Sequence, residues 1–267
     1  MPEIPDLEAI RGFLNRRIPG VRIDEARILI PVVVRSPRAE FESILKGNRF
    51  GEVSRRGKFL LFSLESGHLL VINPMLAGRF QYGPPSLRKR PKTCVVLSLE
   101  DGHELRYADE RLMGKIYLVR SEDLLSVPQF AEMGPDALDV SEDEFVARLQ
   151  RGTGQIKNLL TNHKVVAGIG NAYADEILFR ARIHPFRKRR DLSEEDLRRL
   201  YRAMREVFAW ATPIVSELMK DELDYSEWRE HLKVHRRGGE PCPVCGTRIS
   251  EVSPNRRVTS FCRTCQT

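Results

Sequence analysis

Apolar side chains recur at helical spacing near the start of the chain. Acidic residues lie in the first turn of this segment, where the helix dipole stabilises negative charge, and Pro19-Gly20 ends it. The pattern predicts a helix over residues 3–18, and packing of its apolar face would fix the first residues in place. The apolar positions on that face are Leu7, Ile10, Leu14 and Ile18.

From residue 21 to residue 120, short apolar runs alternate with turn signals. Asp101-Gly102 is a strong tight-turn signal, and residues 65–68 form a second hairpin signal. Many short strands in succession predict a β-sandwich or a barrel, and one shorter helix is expected around residues 37–46. The predicted strands cover residues 21–30, 32–34, 59–64, 69–72, 94–99 and 104–107.

Helical spacing returns after a linker at residues 121–140. Ser141 and Glu144 form a capping-box pattern, and a long amphipathic helix starts after Ser193, in which Pro213 predicts a break or a kink. The fold class is therefore multi-domain α+β. We expect a helix and β-sandwich domain at residues 1–125, a helical domain at 126–230 and a zinc-binding hairpin at 231–267.

Two helices in the second half are joined by a turn with paired glycines, Gly168 and Gly170. Such a turn leaves backbone N–H groups free at the start of the second helix, where a phosphate can bind. Lys157 and Asn171 flank this turn. A single Gly-x-Gly is more often an ordinary tight turn, so both interpretations stay open at this point.

Four of the five cysteines form two Cys-x-x-Cys pairs with 16 residues between them. This spacing is typical of a tetrahedral zinc site with four cysteine ligands. Because all four positions of the metal are filled, we expect one structural Zn²⁺ that stabilises a short segment. The ligands are Cys242, Cys245, Cys262 and Cys265.

The net charge of +7 and the pI of 9.3 favour a polyanionic partner. A basic protein without such a partner is the alternative. No apolar run approaches the roughly 20 residues of a membrane span, and the first residues lack the pattern of a signal peptide. We therefore expect a protein of the cytoplasm with no membrane contact.

The first three residues, Met1-Pro2-Glu3, carry candidate chemistry. If Met1 is removed, Pro2 presents a secondary amine, and an α-amine titrates near ~8, so part of it is a neutral nucleophile at pH 7. Such an amine can attack an electrophilic carbon and hold it as an iminium, with Glu3 in reach for proton transfer. A solvated terminus ahead of a helix is the alternative.

Three polar stretches in the first half could contact an anionic partner. Arg55-Arg56-Gly57-Lys58 places basic residues at the start of a predicted strand, where a solvated edge is the alternative. Residues 73–79 form a loop with the apolar Met75 near a basic residue, and residues 109–114 form a similar loop. An apolar loop residue is usually part of the core, but in a DNA-bending protein it can be a wedge between bases.

Together these stretches resemble the Fpg/Nei family of bifunctional DNA glycosylases from end to end. The resemblance rests on the order and spacing of several motifs. They are Met-Pro-Glu-x-Pro-Asp at 1–6, Arg-Arg-Gly-Lys-Phe at 55–59, the Met75 loop, the segment from Gln155 through Gly168-Ile-Gly170-Asn171 to Pro185, and Gly239–Gly246 with the four cysteines.

The resemblance implies a fold and a chemistry. The fold is an N-terminal helix with a β-sandwich, a helical domain with a helix–two-turn–helix motif and a zinc finger, with DNA in the cleft between domains. Pro2 would be the nucleophile at sugar C1′, Glu3 the proton shuttle and Lys58 a cation on a phosphate near them. Asp6 stands where the family usually has Glu.

The resemblance also implies contacts with double-stranded DNA that contains damaged bases or abasic sites. Phosphates would be bound by Lys58, Asn171 and Arg257, whereas Lys157, Gly168 and Gly170 belong to the helix–two-turn–helix motif. Met75 would fill the gap left by a flipped nucleotide, and Arg111 would face the orphaned base. Family members are mostly monomers, and we expect one here.

The implied function is a base-excision-repair DNA glycosylase and abasic-site lyase. A damaged base leaves the stack at a cost of roughly a few kcal/mol. Pro2 then displaces it and forms a Schiff base. The iminium acidifies the C2′ proton, so that β-elimination cuts the strand on the 3′ side and, by δ-elimination, on the 5′ side.

Three departures from the family pattern bear on the substrate. Ile72 occupies the position three residues before the Met, where formamidopyrimidine glycosylases commonly have His. Leu112-Met113 replaces the common Arg-Phe after Arg111, and residues 222–230 lack the Gly-rich segment that covers an oxidised purine. These departures argue against 8-oxoguanine as the main substrate, and they leave oxidised pyrimidines, formamidopyrimidines, abasic sites and bulkier lesions open.

Two other functions compete with the glycosylase. A protein of the same fold could bind damaged DNA without cutting it, and it would form no covalent intermediate. A zinc-ribbon module unrelated to repair would bind nucleic acid through residues 231–267 alone and would leave Pro2-Glu3 without a role.

Overall fold

The structure is a computed structural model that describes residues 2–224, 229–253 and 257–267. Met1, residues 225–228 of the segment at 222–230, and residues 254–256 of the predicted zinc-binding hairpin lie outside the described residues. The chain divides into two compact units. One comprises Met1–Ala131 with Thr212–Glu227, and the other comprises Glu132–Ala211 with Trp228–Thr267.

The first unit begins with the predicted helix, α1, which spans Ile4–Asn15. Glu3 and Asp6 form a reciprocal capping box at its start, so two backbone N–H groups of the first turn have side-chain acceptors. The apolar face is buried as the spacing predicted, and Leu7, Ile10 and Leu14 are 0% exposed. A second helix, α2 at Arg38–Leu45, confirms the short helix expected around residues 37–46.

Two antiparallel sheets form the rest of this unit. The four-stranded sheet has the order β2-β3-β4-β8 and the five-stranded sheet the order β1-β6-β7-β5-β9. The strands are β1 Ile23–Ile28, β2 Phe50–Arg56, β3 Phe59–Leu64, β4 His68–Asn73, β5 Gly78–Gly83, β6 Thr93–Leu99, β7 Glu104–Asp109, β8 Lys115–Arg120 and β9 Leu223–Asp224.

Aromatic rings join the two sheets face to face. Phe62 of β3 lies 6.3 Å from Phe80 of β5, which makes an edge contact with Tyr107 of β7 at 5.5 Å. All three side chains are nearly fully buried. The predicted β-sandwich is therefore confirmed, and aromatic side chains from both sheets contribute to its core.

One predicted strand was wrong. Residues 32–34 lie in and after a 3₁₀ turn at Pro31–Val33, and Val32 is 48% exposed. Pro31 has no N–H to donate to a strand ladder, which explains why a β-branched run after it does not extend the sheet.

The second unit is mostly helical. Its helices are α3 Glu142–Arg151, α4 Ile156–Leu160, α5 Asn171–Arg180 and α6 Glu194–Leu218, of which α6 runs on into the first unit. Ser141 caps α3 as predicted, since its side chain accepts a hydrogen bond from the Glu144 N–H. The break expected at Pro213 is not found: α6 continues to Leu218, and Val215 beyond it is fully buried. Burial of that face compensates for the lost backbone hydrogen bond.

The four C-terminal cysteines meet beside a short hairpin of β10 Ser250–Val252 and β11 Thr259–Phe261. The sulfur atoms of Cys242 and Cys265 are 3.8 Å apart and those of Cys245 and Cys262 are 3.5 Å apart. A tetrahedral zinc with Zn–S bonds of about 2.3 Å places sulfur atoms about 3.8 Å from each other. The four thiolates therefore fit one structural zinc ion, as the spacing predicted.

The apolar core of this zinc finger is small. Phe179 of α5, Val234 and Ile249 pack with Cys242 and Cys262, and Cys265 packs against this cluster. So little burial does not hold a fold by itself, and a structural zinc contributes about 10–16 kcal/mol to such segments. Among the described residues, no helix is long and apolar enough to cross a membrane.

Removal of the zinc ligands is expected to unfold the finger and leave the sandwich intact. Purified protein should contain one zinc per chain, and Cys242→Ser should lose it, because three thiolates hold zinc far more weakly than four. Metal analysis and proteolysis of the C-terminal segment measure both effects. Cys94→Ala is the matched control, because Cys94 is a buried thiol of β6 outside the cluster. Retention of a full equivalent of tightly bound zinc by Cys242→Ser would contradict the assignment.

Candidate functional site

The start of α1 places two acids directly after Pro2. Pro2 is buried, Glu3 is 3% exposed and Asp6 is 0% exposed. The backbone N–H of Glu3 donates to Asp6 Oδ2 at 2.8 Å, and the Glu3 side chain accepts from the Asp6 N–H in return. Both carboxylates therefore have fixed positions at the positive end of the helix dipole, next to the residue that becomes the terminus if Met1 is removed.

Polar contacts tie α1 to the edge of the four-stranded sheet. The Asn15 side chain bonds both backbone groups of Val53 in β2, at 2.8 and 2.7 Å. Near the middle of the helix, Glu8 accepts from Arg55 Nε at 2.6 Å, in an ion pair with both side chains largely buried. The start of the chain is thus fixed by specific hydrogen bonds as well as by burial.

Arg55 also fixes the turn that carries Lys58. Its Nη1 donates to the Gly57 carbonyl at 2.9 Å, and Gly57 has a left-handed φ of 58° that favours glycine. Lys58 follows and is half-buried. One guanidinium therefore links α1 to the Lys58 turn. Arg55 lies in a basic run of the sequence, and nothing local in that run indicates that Glu8 is its partner.

The loop between β4 and β5 carries two neighbouring apolar side chains, Met75 and Leu76. Asn73 Oδ1 accepts from the Met75 N–H at 3.0 Å, and Met75 has a left-handed φ of 47°. Met75 is half-buried, whereas Leu76 is 39% exposed. Leu76 is therefore the more exposed of the two side chains.

One buried carboxylate organises the loop between β7 and β8. Asp109 Oδ1 accepts from the N–H groups of Arg111 and Leu112 at 2.9 and 3.0 Å. Asp109 Oδ2 accepts from those of Met113 and Gly114 at 2.9 and 2.6 Å. The same loop exposes the Arg111 side chain and 39% of Met113. A basic and an apolar side chain therefore share one rigid loop.

The buried side chain of Tyr107 packs against both of these loops. Gly78, which ends the first loop, pairs with Asp109 across β5 and β7. A Cβ at Gly78 would lie 2.2 Å from Tyr107 Oη, and a Cβ at Gly114 would lie 1.9 Å from it. Burial raises the pKa of Tyr107, and the nearby Asp109 carboxylate raises that pKa further. The neutral phenol fills the space between the loops and brings them side by side.

In the second unit, the predicted phosphate-binding residues meet the zinc finger. Asn171, the first residue of α5, donates from Nδ2 to the Val258 carbonyl at 2.8 Å. Lys157 of α4 donates to the same carbonyl at 3.1 Å and to Thr259 Oγ1 at 2.8 Å. Lys157 is buried, whereas Arg257, the residue before Val258, is exposed.

The paired glycines take up the positions that the turn requires. Gly168 has a φ of 103°, which an L side chain rarely adopts, and Gly170 is the N-cap of α5. Both are buried. The turn thus delivers Asn171 to the start of α5, where the backbone N–H groups of the first turn lack helical partners.

Comparison with known proteins agrees with this arrangement. The profile of the formamidopyrimidine-DNA glycosylase N-terminal domain matches residues 1–116, and that of the glycosylase H2TH domain matches residues 133–219. A zinc finger found in FPG and IleRS matches residues 239–267.

Whole proteins match over the full length of the chain. A formamidopyrimidine-DNA glycosylase of Pelotomaculum thermopropionicum is 35% identical over 100% of this chain and 99% of its own length. One of Thermus thermophilus is 38% identical over 100% and 98%. A solved complex of Lactococcus lactis Fpg with abasic-site DNA superposes with a TM-score of 0.91 at 26% identity, over 100% of both chains. This chain belongs to the formamidopyrimidine-DNA glycosylase family.

Proposed function

We propose that this DNA glycosylase of base-excision repair also cleaves the strand, with the amine of Pro2 as nucleophile. The observation that carries the proposal is the geometry at the start of α1. There, Glu3 is buried directly after Pro2 and is held in a capping box with Asp6. A catalytic acid needs such a fixed position, because proton transfer depends on hydrogen-bond distance to the reacting group.

In the proposed reaction, the Pro2 nitrogen forms a bond to C1′ as the bond from C1′ to the base breaks, and the base leaves with a proton. Loss of the ring oxygen bond gives an iminium between Pro2 and C1′. Glu3 transfers the protons that these steps need. The iminium makes the C2′ proton acidic, and its removal expels the 3′ phosphate. A second elimination expels the 5′ phosphate, and water releases the sugar fragment from Pro2.

Phosphate binding is proposed for the residues that the family pattern indicated. Lys58 is supported by the Arg55 contact that fixes its turn to α1. Arg257 is supported as a phosphate ligand because its side chain is exposed and because the carbonyl of the next residue, Val258, accepts hydrogen bonds from Lys157 and Asn171. Gly168 and Gly170 contribute indirectly, because their turn positions the N-terminus of α5, where backbone N–H groups can bind a phosphate.

For the gap left by the flipped nucleotide, we propose Leu76 with Met113, in place of Met75 alone. These are the apolar side chains that the two adjacent loops expose, each at 39%. Arg111 lies on the Met113 loop, which favours it as the residue that faces the orphaned base.

The proposed substrates are double-stranded DNA with oxidised bases, formamidopyrimidines or abasic sites, bound by a monomer in the bacterial cytosol. The Lactococcus lactis relative has been solved with DNA that contains an abasic site and with an N7-benzyl-Fapy-dG lesion. The departures at Ile72 and Leu112-Met113 support a preference other than 8-oxoguanine. A non-catalytic damage-binding protein of the same fold is the second candidate, and covalent trapping separates the two.

Borohydride should trap the wild-type protein on abasic DNA and on its preferred lesion. A form extended by residues before Pro2 should give no adduct, because its proline nitrogen is an amide. Glu3→Gln should bind DNA but release the base about 10²–10⁴-fold more slowly, as expected for loss of a general acid. Glu40→Gln, an exposed acid of α2, is the control. The panel holds abasic, 8-oxoguanine, formamidopyrimidine, thymine glycol and hydantoin sites opposite each base.

Tight binding to lesions without any adduct would leave the damage-binding function instead. Trapping at the abasic site alone would indicate a lyase whose lesion is absent from the panel.

Leu76→Ala should weaken binding to an abasic-site duplex by about 10-fold or more, because burial of a leucine contributes about 1.5–3 kcal/mol. Its effect should exceed that of Met75→Ala on the same DNA. Undamaged duplex is the control, since no gap is filled there. Titration with 2-aminopurine opposite the lesion reports base stacking directly. A larger loss from Met75→Ala on damaged DNA would return the wedge role to Met75.

Asp109→Asn should reduce the discrimination among the four bases opposite the lesion. An amide side chain offers one acceptor in place of two, so at least one pair of loop N–H groups loses its partner, at a cost of about 2 kcal/mol in the free energy of unfolding. The excision rates opposite the four bases should then converge. Glu110→Gln is the matched control, because Glu110 is the exposed neighbour. An unchanged ratio of rates would show that this loop does not contact the orphaned base.

A further inference from the structure

A buried carboxylate in the second unit gathers groups from three separate segments. Asp175 of α5 is 1% exposed. Its Oδ1 lies 2.6 Å from Lys157 Nζ, and its Oδ2 lies 2.7 Å from His235 Nδ1. The backbone N–H of Ser260 also donates to Oδ2 at 3.1 Å. Asp175 therefore connects α4, the segment before the first zinc ligands and the strand β11 of the finger.

The ammonium group of Lys157 has three protons to donate. Its Nζ donates to the Val258 carbonyl and to Thr259 Oγ1 and forms an ion pair with Asp175 Oδ1, and these three groups belong to the protein. The residue itself is only 6% exposed. A lysine that contacts DNA phosphates through its own ammonium would direct protons to solvent, which this geometry does not.

These contacts act on the backbone of the finger next to Arg257. The Val258 carbonyl accepts from Lys157 and from Asn171, and the N–H of Ser260 is held by Asp175. Val258 is joined to Arg257 by one peptide bond, so its position limits where the exposed Arg257 side chain can reach.

We infer that Lys157 is a positioning residue, which acts on DNA through Arg257 and makes no phosphate contact of its own. Asp175 holds the Lys157 ammonium in place by an ion pair, and Thr259 Oγ1 accepts a hydrogen bond from it. The inference rests on the proposed DNA binding by Arg257, and it gives a role to Lys157, which the resemblance placed in the helix–two-turn–helix motif.

The inference is tested by a double-mutant cycle between Lys157→Met and Arg257→Ala. The measurement is the dissociation constant for an abasic-site duplex at several salt concentrations. Each single variant should bind about 10-fold more weakly and should lower the salt slope by about 0.9, the contribution of one phosphate contact. The double variant should match Arg257→Ala alone. Lys46→Met, at an exposed lysine in the first unit, is the control.

Multiplied effects and a second loss of slope in the double variant would overturn the inference, because they show two independent phosphate contacts. Thr259→Val provides a variant that keeps the lysine. Thr259 is 2% exposed, so its side chain does not contact DNA directly. If Thr259→Val lowers DNA affinity in the wild type but not in the Arg257→Ala variant, the change acts by moving the backbone that carries Arg257.

A measurement without DNA separates this inference from the proposed function. In the DNA-free protein, Lys157→Met should speed amide hydrogen exchange at Val258–Phe261 by at least 10-fold, while one zinc per chain is retained. Unchanged exchange there would overturn the inference even if DNA binding fell. If the wild type did not bind damaged DNA at all, the proposed function would fail, whereas the exchange result would still report on the Lys157 contacts.

Discussion

A chain terminus is ordinarily the least ordered part of a protein, yet here the residues assigned to the chemistry lie within three positions of it. The structure depends on the contacts that remove this disorder. The capping box of Glu3 and Asp6 fixes the first turn of α1, and the ion pair of Glu8 with Arg55 fixes the helix on the sheet. Because Arg55 also holds the Gly57 carbonyl, the same contact sets the Lys58 turn. The proposed nucleophile at Pro2 therefore depends on polar groups behind it that are buried and paired.

The second unit uses the same principle for a different purpose. An exposed arginine on a short zinc hairpin would by itself have little positional restraint, since the hairpin has a small core. The buried pair of Lys157 and Asp175 supplies that restraint from α4 and α5. Buried ion pairs are weak evidence for stability, and their value here lies in fixing geometry. In both units, buried charges position the cations that remain at the surface.

Features that depend on local sequence could be predicted. The spacing of apolar residues gave α1, and Asp101-Gly102 gave the turn between β6 and β7. The four cysteines gave the zinc site because metal ligands have few allowed spacings. Contacts between distant residues could not be found in this way. Glu8 and Arg55 are separated by 47 positions, and no periodicity links them.

The exposure of loop side chains is a second feature that could not be predicted, because it depends on backbone angles that the sequence does not display. Met75 adopts a left-handed φ of 47°, a conformation that turns the chain, so its neighbour Leu76 faces solvent instead. The turn is stable because Gly78 leaves room for Tyr107 beneath it. A motif therefore locates the proposed wedge loop to within a residue or two, whereas the packing below the loop sets how far each of its side chains is exposed. Since the same tyrosine also packs against the Met113 loop, a change in its size would move both apolar side chains together, and under their proposed role lesion choice would change with them.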